Sequence, residues 1–430
     1  MSHLKSPRAA FAIVIAALAV LLAACGSDDS TSSDSTEASS DSSGGNEVTI
    51  YSSFPLQGAS RPIGEGSQQG IELAFKEHDY KAGDTTINFV PLDDSTAQAG
   101  AWTPEAESAN ARKAISDNAV LYLGTFNSGA AAISIPLLNE AGIPQLSPGN
   151  TAVGLTTDAP GAEPGAPDIY YPTGERNYAR IVPNDTVQGA ALAKVMSEDG
   201  CTNVGMVNDQ EVYGAGLAEN IQTSADDLGL EVSSNDGIDP KAANFRSVAS
   251  SLADDGIDCF VFSGITANGA VQLYKDVAAA LPDAKLYGPD GVAETTFFDP
   301  ADGGLPADIG DRVKITVATL DPDSYGPEGK KFFADYSKEY GDDNPNPYAI
   351  YGYEAGQLAI DMLERADDPT DPASVNEAMF DTQDHDSILG TYSIDENGDT
   401  SLTTYGVYTV ADGKMVFDES VEGSTDDSGN

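Results

Sequence analysis

Two successive runs of alternating strand-like and helix-like segments constrain this chain more than any other feature. Short apolar runs at 48–51, 87–92, 120–123 and 144–146 alternate with helical patterns at 67–80, 104–116 and 130–141. A second series repeats the plan, with strands at 204–207, 230–232, 259–262 and 286–287 and helices at 214–228, 245–253 and 269–280. Thr103-Pro104-Glu105 is a strong helix start: a capping hydroxyl, a proline that needs no N–H, and an acid against the positive end of the helix. Strand–helix–strand repeats of this kind build parallel sheets with right-handed crossovers and helices on both faces. The predicted fold class is therefore α/β, with two doubly wound parallel-sheet lobes meeting across a cleft. A strand at 313–320, helices at 328–340 and 348–365, and a hairpin about Asn397-Gly398, the favoured type I′ pair, come last. They are too few for a third domain and are expected to return and complete the lobes.

The length of 430 residues suits two or three domains, and 40% hydrophobic residues supply enough apolar side chain for a sizeable core. The balance of 69 acidic against 21 basic residues, a net charge of −48, repels phosphate backbones and anionic lipid, which argues against a nucleic-acid partner. The same surface charge also keeps a protein soluble.

Lys5 and Arg8 precede an unbroken apolar run over 9–24, shorter than the roughly 20 residues that span a bilayer, so residues 1–24 read as an export signal. The run closes on Leu22-Ala23-Ala24-Cys25, which resembles the bacterial lipobox and implies a cut before Cys25 and diacylation of its thiol. Two acyl chains on one cysteine anchor a protein stably. The alternative is an ordinary secretory signal with an incidental cysteine. Residues 25–46 carry no large apolar side chain and read as a disordered tether, and 418–430 as a disordered acidic tail. The expected location is the outer face of the bacterial cell membrane.

Enzyme signatures are weak. His3 falls within the export signal, which leaves His78 and His385, far apart and each beside acids, and both read as solvated surface residues. The run 395–399 (DENGD) hints at a calcium loop, but glycine stands fourth rather than sixth, and the twelfth place is Gly406 rather than Glu. Gly64, Gly66 and Gly70 with Asp93 approach a dinucleotide fingerprint, yet they follow the first strand at a distance, whereas that loop must begin directly after it. No cofactor, no metal and no catalysis are expected.

The runs YLGTFNSGA at 122–130 and LLNEAGIPQLSPGNT at 137–151, with Gln69-Gly70, DQEVYGAG at 209–216 and YGPDGV at 287–292, resemble the solute-binding proteins of branched-chain amino-acid ABC transporters. The resemblance covers 48–410 and implies the type I periplasmic-binding, or Venus-flytrap, fold with three chain crossings, placed near 180–183, 313–320 and 387–391. The lobes would then comprise 47–181 with 314–386, and 182–313 with 387–417. It also implies a monomer that captures a small amino acid and hands it to permease subunits in the membrane. A sensor presenting its ligand to a receptor, and an exported dinucleotide-dependent enzyme, are the competing readings.

The resembling residues suit a free amino acid chemically. A carboxylate wants helix N-terminal N–H groups and hydroxyls, offered by Asn127 and Ser128 before a helix and by Thr151 after a strand. The ammonium would take the Gly149 carbonyl and Asp290, and Tyr213 would form an aromatic wall. Ordinary alternatives are a helix cap for Ser128, packing for Tyr213, and a turn between Pro289 and Gly291 for Asp290. Two positions depart from the family pattern. Gly264-Ile265-Thr266 stands where members have a phenol, leaving Thr266 as the substitute donor, and Asp290 stands where many have Glu. A Pro/Gly-rich insert around 160–167 stretches the spacing after Thr151.

Cys201 and Cys259 stand at the entries of the first and third strands of the second lobe. A strand order of 2-1-3-4-5 makes those strands neighbours about 4.8 Å apart, within reach of a disulfide, which an oxidising compartment would favour.

Overall fold

The computed structural model describes residues 45–423, so Cys25, the export signal, most of the tether and the end of the tail lie outside the described residues. Two sheets carry the fold. The first has six strands in the order Lys81–Ala82, Thr85–Asp93, Glu47–Phe54, Leu121–Gly124, Gln145–Ser147 and Tyr178–Arg180. All its pairings are parallel except that of the short edge strand Lys81–Ala82. The second has seven, in the order Glu231–Gly237, Asn203–Asn208, Cys259–Ser263, Lys285–Gly288, Val313–Val317, Thr404–Ala411 and Lys414–Glu422. Its first five are parallel and its last two antiparallel. Both sheets place the second strand of their series outside the first, and the third beside it, as the two-series reading requires. Leu121–Gly124 and Cys259–Ser263 are buried at every residue, as central parallel strands covered by helices on both faces should be.

The late helices return to the first lobe by close backbone approach. A side chain at Gly70 would lie 2.1 Å from the carbonyl of Ala349, and one at Gly352 would lie 2.0 Å from that of Ser67. The helices Arg61–Glu77 and Ala349–Arg365 therefore meet through glycine faces that no larger residue would allow.

Four expectations change. Val313–Val317 pairs with Lys285–Gly288 and so belongs to the second sheet, with Val313, Ile315 and Val317 buried; the second crossing, expected near 313–320, follows Val317, and the lobe boundary moves from 313 to 317. Residues 387–391 do not cross: His385–Ser387 and Gly390–Tyr392 form a small hairpin of their own. The return comes later, where the Gly398 carbonyl accepts the Arg180 N–H at 2.9 Å and the chain then enters Thr404–Ala411. Asn397-Gly398 is not a type I′ hairpin, since only Gly398 has positive φ; the Asp395 carboxylate instead takes the N–H groups of Asn397 and Asp399, and a single bridge joins Ile394 to Thr400. The tight hairpin is at Asp412-Gly413, with φ of 52° and 70°. Its second strand continues to Glu422, so 418–422 is sheet rather than tail, held by Thr403 and Thr404 hydroxyls donating to the Glu422 carboxylate. The two lobes accordingly run 47–180 with 318 to about 400, and 184–317 with 404–422.

Strand adjacency delivers the predicted cysteine pair. Cys259 lies opposite Val204 in the parallel ladder, and Cys201 and Cys259 form a disulfide with Cα atoms 5.8 Å apart. His385 is not simply solvated. It is half-buried, with Nε2 3.1 Å from the buried Glu354 carboxylate, and that contact raises its pKa.

Candidate functional site

The first-lobe wall is built from the ends of two buried strands. Leu121–Gly124 leads through Phe126 and an extended Asn127 into the helix Ser128–Ala141, whose first N–H groups have no intrahelical partner and so favour an anion. Beyond Gln145–Ser147, the Ser147 hydroxyl accepts the N–H groups of Gly149 and Asn150 at 3.1 and 2.8 Å and bends the chain back. Ser128 ties the two loops together, its Oγ accepting the Ala152 N–H at 3.2 Å. Glycine at 149 lets the loop pack on Phe126, since a Cβ there would lie 2.6 Å from the ring and force it to move.

The second-lobe wall is acidic. Asn203–Asn208 ends at Asp209, a buried carboxylate that accepts N–H groups from Glu211 and Ile265 at 3.1 Å and from the Asn268 side chain at 2.8 Å. It thereby fixes the start of the helix Val212–Leu228, which carries Tyr213. The Tyr213 hydroxyl donates to Asp290 Oδ1 at 2.5 Å, and Gln188 Nε2 donates to the same oxygen at 2.9 Å. Tyr348, from the first lobe, donates to Asp290 Oδ2. Asp290 thus joins the lobes, and the Phe126 and Tyr348 rings meet edge to face at 5.1 Å beside it. Burial raises the Asp290 pKa against the lowering effect of these donors. Asp185 stands nearby, fully buried, with neither carboxylate oxygen hydrogen-bonded; burial and then the charge of Asp290 push its pKa well up.

Between the walls lies a small cavity that brings together Asn127, Ser128, Gly149, Thr151, Tyr213 and Asp290. Thr266 is not among its lining residues: its hydroxyl turns to the Gly291 carbonyl at 3.4 Å, and Ile265 lines the cavity in its place. Sequence reasoning missed Glu211, Phe126 and Ile265 in the lining, and Gln188 and Tyr348 behind Asp290. Glu211 was within reach, since it stands in the DQEVYGAG run two residues before Tyr213. Burial, followed by the charge of Asp209, raises its pKa to about 7.

Three further contacts bridge the lobes. Trp102 Nε1 donates to Glu211 Oε2 at 3.3 Å, and Thr296 Oγ1 to the Ala59 carbonyl at 2.8 Å. The Pro/Gly-rich insert reaches across as a strap, where the Gly161 N–H donates to Glu219 and a side chain at Gly216 would lie 2.6 Å from the Gly161 carbonyl. At the crossings Arg180, fully buried, binds Asp399 at 2.6 Å and the carbonyls of Asn150 and Ala152 at 3.1 and 2.8 Å. This one guanidinium links two crossings to the loop that carries Thr151.

No described helix is long and apolar enough to cross a membrane. A family model described as periplasmic binding protein matches residues 47–414. Among curated proteins the chain is similar to Leu/Ile/Val-binding protein homolog 2 of Brucella abortus, 25% identical over 369 residues, covering 84% of this chain and 90% of the relative. It is likewise similar to the leucine-, isoleucine-, valine-, threonine- and alanine-binding protein of Pseudomonas aeruginosa, 23% identical over 363 residues, covering 84% of this chain and 89% of that one. Among solved structures, a leucine binding protein from Thermotoga maritima superposes with a TM-score of 0.74 at 21% identity, over 87% of this chain and 99% of that one. A solute-binding protein from R. palustris in complex with benzoate gives a TM-score of 0.70 at 23% identity, over 86% and 95%. A family match over nearly the whole described region, on two doubly wound lobes that enclose a polar cavity, means that this chain belongs to the periplasmic binding protein family.

Proposed function

We propose that this protein is the capture component of an ABC importer. It binds a small α-amino acid between its lobes and delivers it to permease subunits, acting as a monomer that catalyses nothing and is held at the outer face of the membrane by a lipid on Cys25. The observation that carries this reading is the division of labour around the cavity. Hydroxyls and helix N-terminal N–H groups on the first lobe suit a carboxylate, and a buried Asp290 on the second suits an ammonium. A ligand such as benzoate, with no ammonium, would leave Asp290 facing no positive charge. The names of the similar proteins from Brucella and Pseudomonas support a small α-amino acid as the ligand class. Calorimetry against amino acids and against the same acids without the amino group tests the proposal: binding of the first set only is expected, and equal binding of the second would overturn it. Intact-mass analysis of membrane-extracted protein tests the anchor, with cleavage before Cys25 plus lipid as the expected result and an unmodified soluble form as the contrary one.

A further inference from the structure

The charge around the cavity is one-sided. Its second-lobe wall sets two carboxylates, Glu211 and Asp290, against the enclosed space, and no lysine, arginine or histidine among the described residues lines it. Both acids line the cavity together with Tyr213, which follows Glu211 by two residues in the chain and whose hydroxyl reaches Asp290 at 2.5 Å. Glu211 is held by neutral donors alone, Trp102 Nε1 at 3.3 Å and Asn268 Nδ2 at 2.8 Å. From the first lobe Asn127, only 4% exposed, lines the same cavity with an Oδ1 that has no hydrogen-bond partner.

A neutral zwitterion leaves this arrangement half satisfied. Its single ammonium goes to Asp290, and a hydrocarbon side chain would then seal Glu211 and Asn127 Oδ1 against apolar surface, a costly burial for a charge and for an acceptor. A second ammonium, on the ligand's side chain, supplies a counter-charge to Glu211 and a donor to Asn127 in the same cavity. Resting on the amino-acid reading above, we infer that the preferred ligand is a short diamino acid of net positive charge, its α-ammonium at Asp290 and its side-chain ammonium at Glu211. The carboxylate then stays with Ser128 and the helix start, and the site discriminates by charge against the aliphatic amino acids that fit the same space.

The test is calorimetry on the mature chain with L-ornithine, L-2,4-diaminobutyrate, and L-norvaline as the uncharged hydrocarbon counterpart. The tighter of the two diamino acids is expected to bind at least about tenfold better than norvaline, and Glu211→Gln, which removes charge but keeps shape, is expected to shrink that preference below about threefold. Norvaline binding the wild type as tightly as both diamino acids would overturn the inference while upholding the amino-acid reading, and so would a preference that survives in Glu211→Gln. If neither these three nor leucine binds, the underlying reading itself fails. The wild-type comparison needs no variant and decides the matter even if Glu211→Gln does not fold.

Discussion

The two lobes share one plan and differ in chemistry. Each sheet places its third strand beside its first and ends its strands at the cleft, yet the first lobe offers Ser128, Thr151 and helix N–H groups, whereas the second offers Glu211 and Asp290. The backbone plan decides where loops converge, and the few residues at strand ends decide what those loops can hold. A duplicated architecture thus becomes a polar clamp, with donors on one jaw and acceptors on the other. Asp290, bonded by Tyr213 from its own lobe and Tyr348 from the other, is where the jaws meet.

The sharpest way to break this contrast is to remove the acceptor jaw. Asp290→Ala should weaken amino-acid binding by about 3–5 kcal/mol, because a buried ammonium is left without its carboxylate. Calorimetry showing less than about tenfold weakening would contradict the assignment. Opening the disulfide should separate stability from recognition. Replacing Cys201 and Cys259 with serine should destabilise the second lobe by about 2–4 kcal/mol while leaving affinity in folded protein within about threefold, since the pair lies at the strand entries, away from the cavity. Equal destabilisation of both lobes by hydrogen exchange would argue against that separation. Trimming the donor jaw should do less: Ser128→Ala removes one hydroxyl and should cost about 1 kcal/mol in binding, read by the same calorimetry.

The smallest effect is on pH. Burial raises Glu107 of the first lobe to about 7 and Glu211 and Glu294 of the second to about 7 and about 8, above the unfolded value near 4.3. The folded state therefore holds protons that the unfolded state releases. The stability these groups contribute is fully present below about pH 4.3 and is lost as pH rises through 7 and 8. The ligand-free protein should melt at least about 2 °C higher at pH 5.5 than at pH 8.5, with the second lobe losing more. A melting temperature that rises with pH would contradict these environments.

Legibility in the sequence followed how local each signal was. Pro104–Ser116 was found to the residue, because Thr103 caps it, with Oγ1 accepting the Ala106 N–H at 3.2 Å. The helix Asp185–Glu198 was missed, since its alanine-rich stretch is buried nearly all round and shows no apolar stripe to count. The lobe boundary expected at 313/314 cuts through the strand Val313–Val317 for a different reason: its apolar run says strand, and only its pairing with Leu286 says which sheet. In the site, residues inside recognisable runs came together in the cavity, whereas Thr266, named where the chain departs from the family pattern, did not. Tyr348 and Gln188 escaped because they stand 58 and 102 positions from Asp290, and nothing local in the sequence announces either the contact across the lobes or the one within the second lobe.

The central claim is that an amino acid is held by groups on opposite lobes, so that only the closed state satisfies both of its ends. Small-angle scattering on the mature protein, with and without the tightest ligand from the amino-acid panel at saturation confirmed by calorimetry, tests this most directly. A smaller radius of gyration in the bound state is the predicted result, and an unchanged radius at full saturation would contradict it.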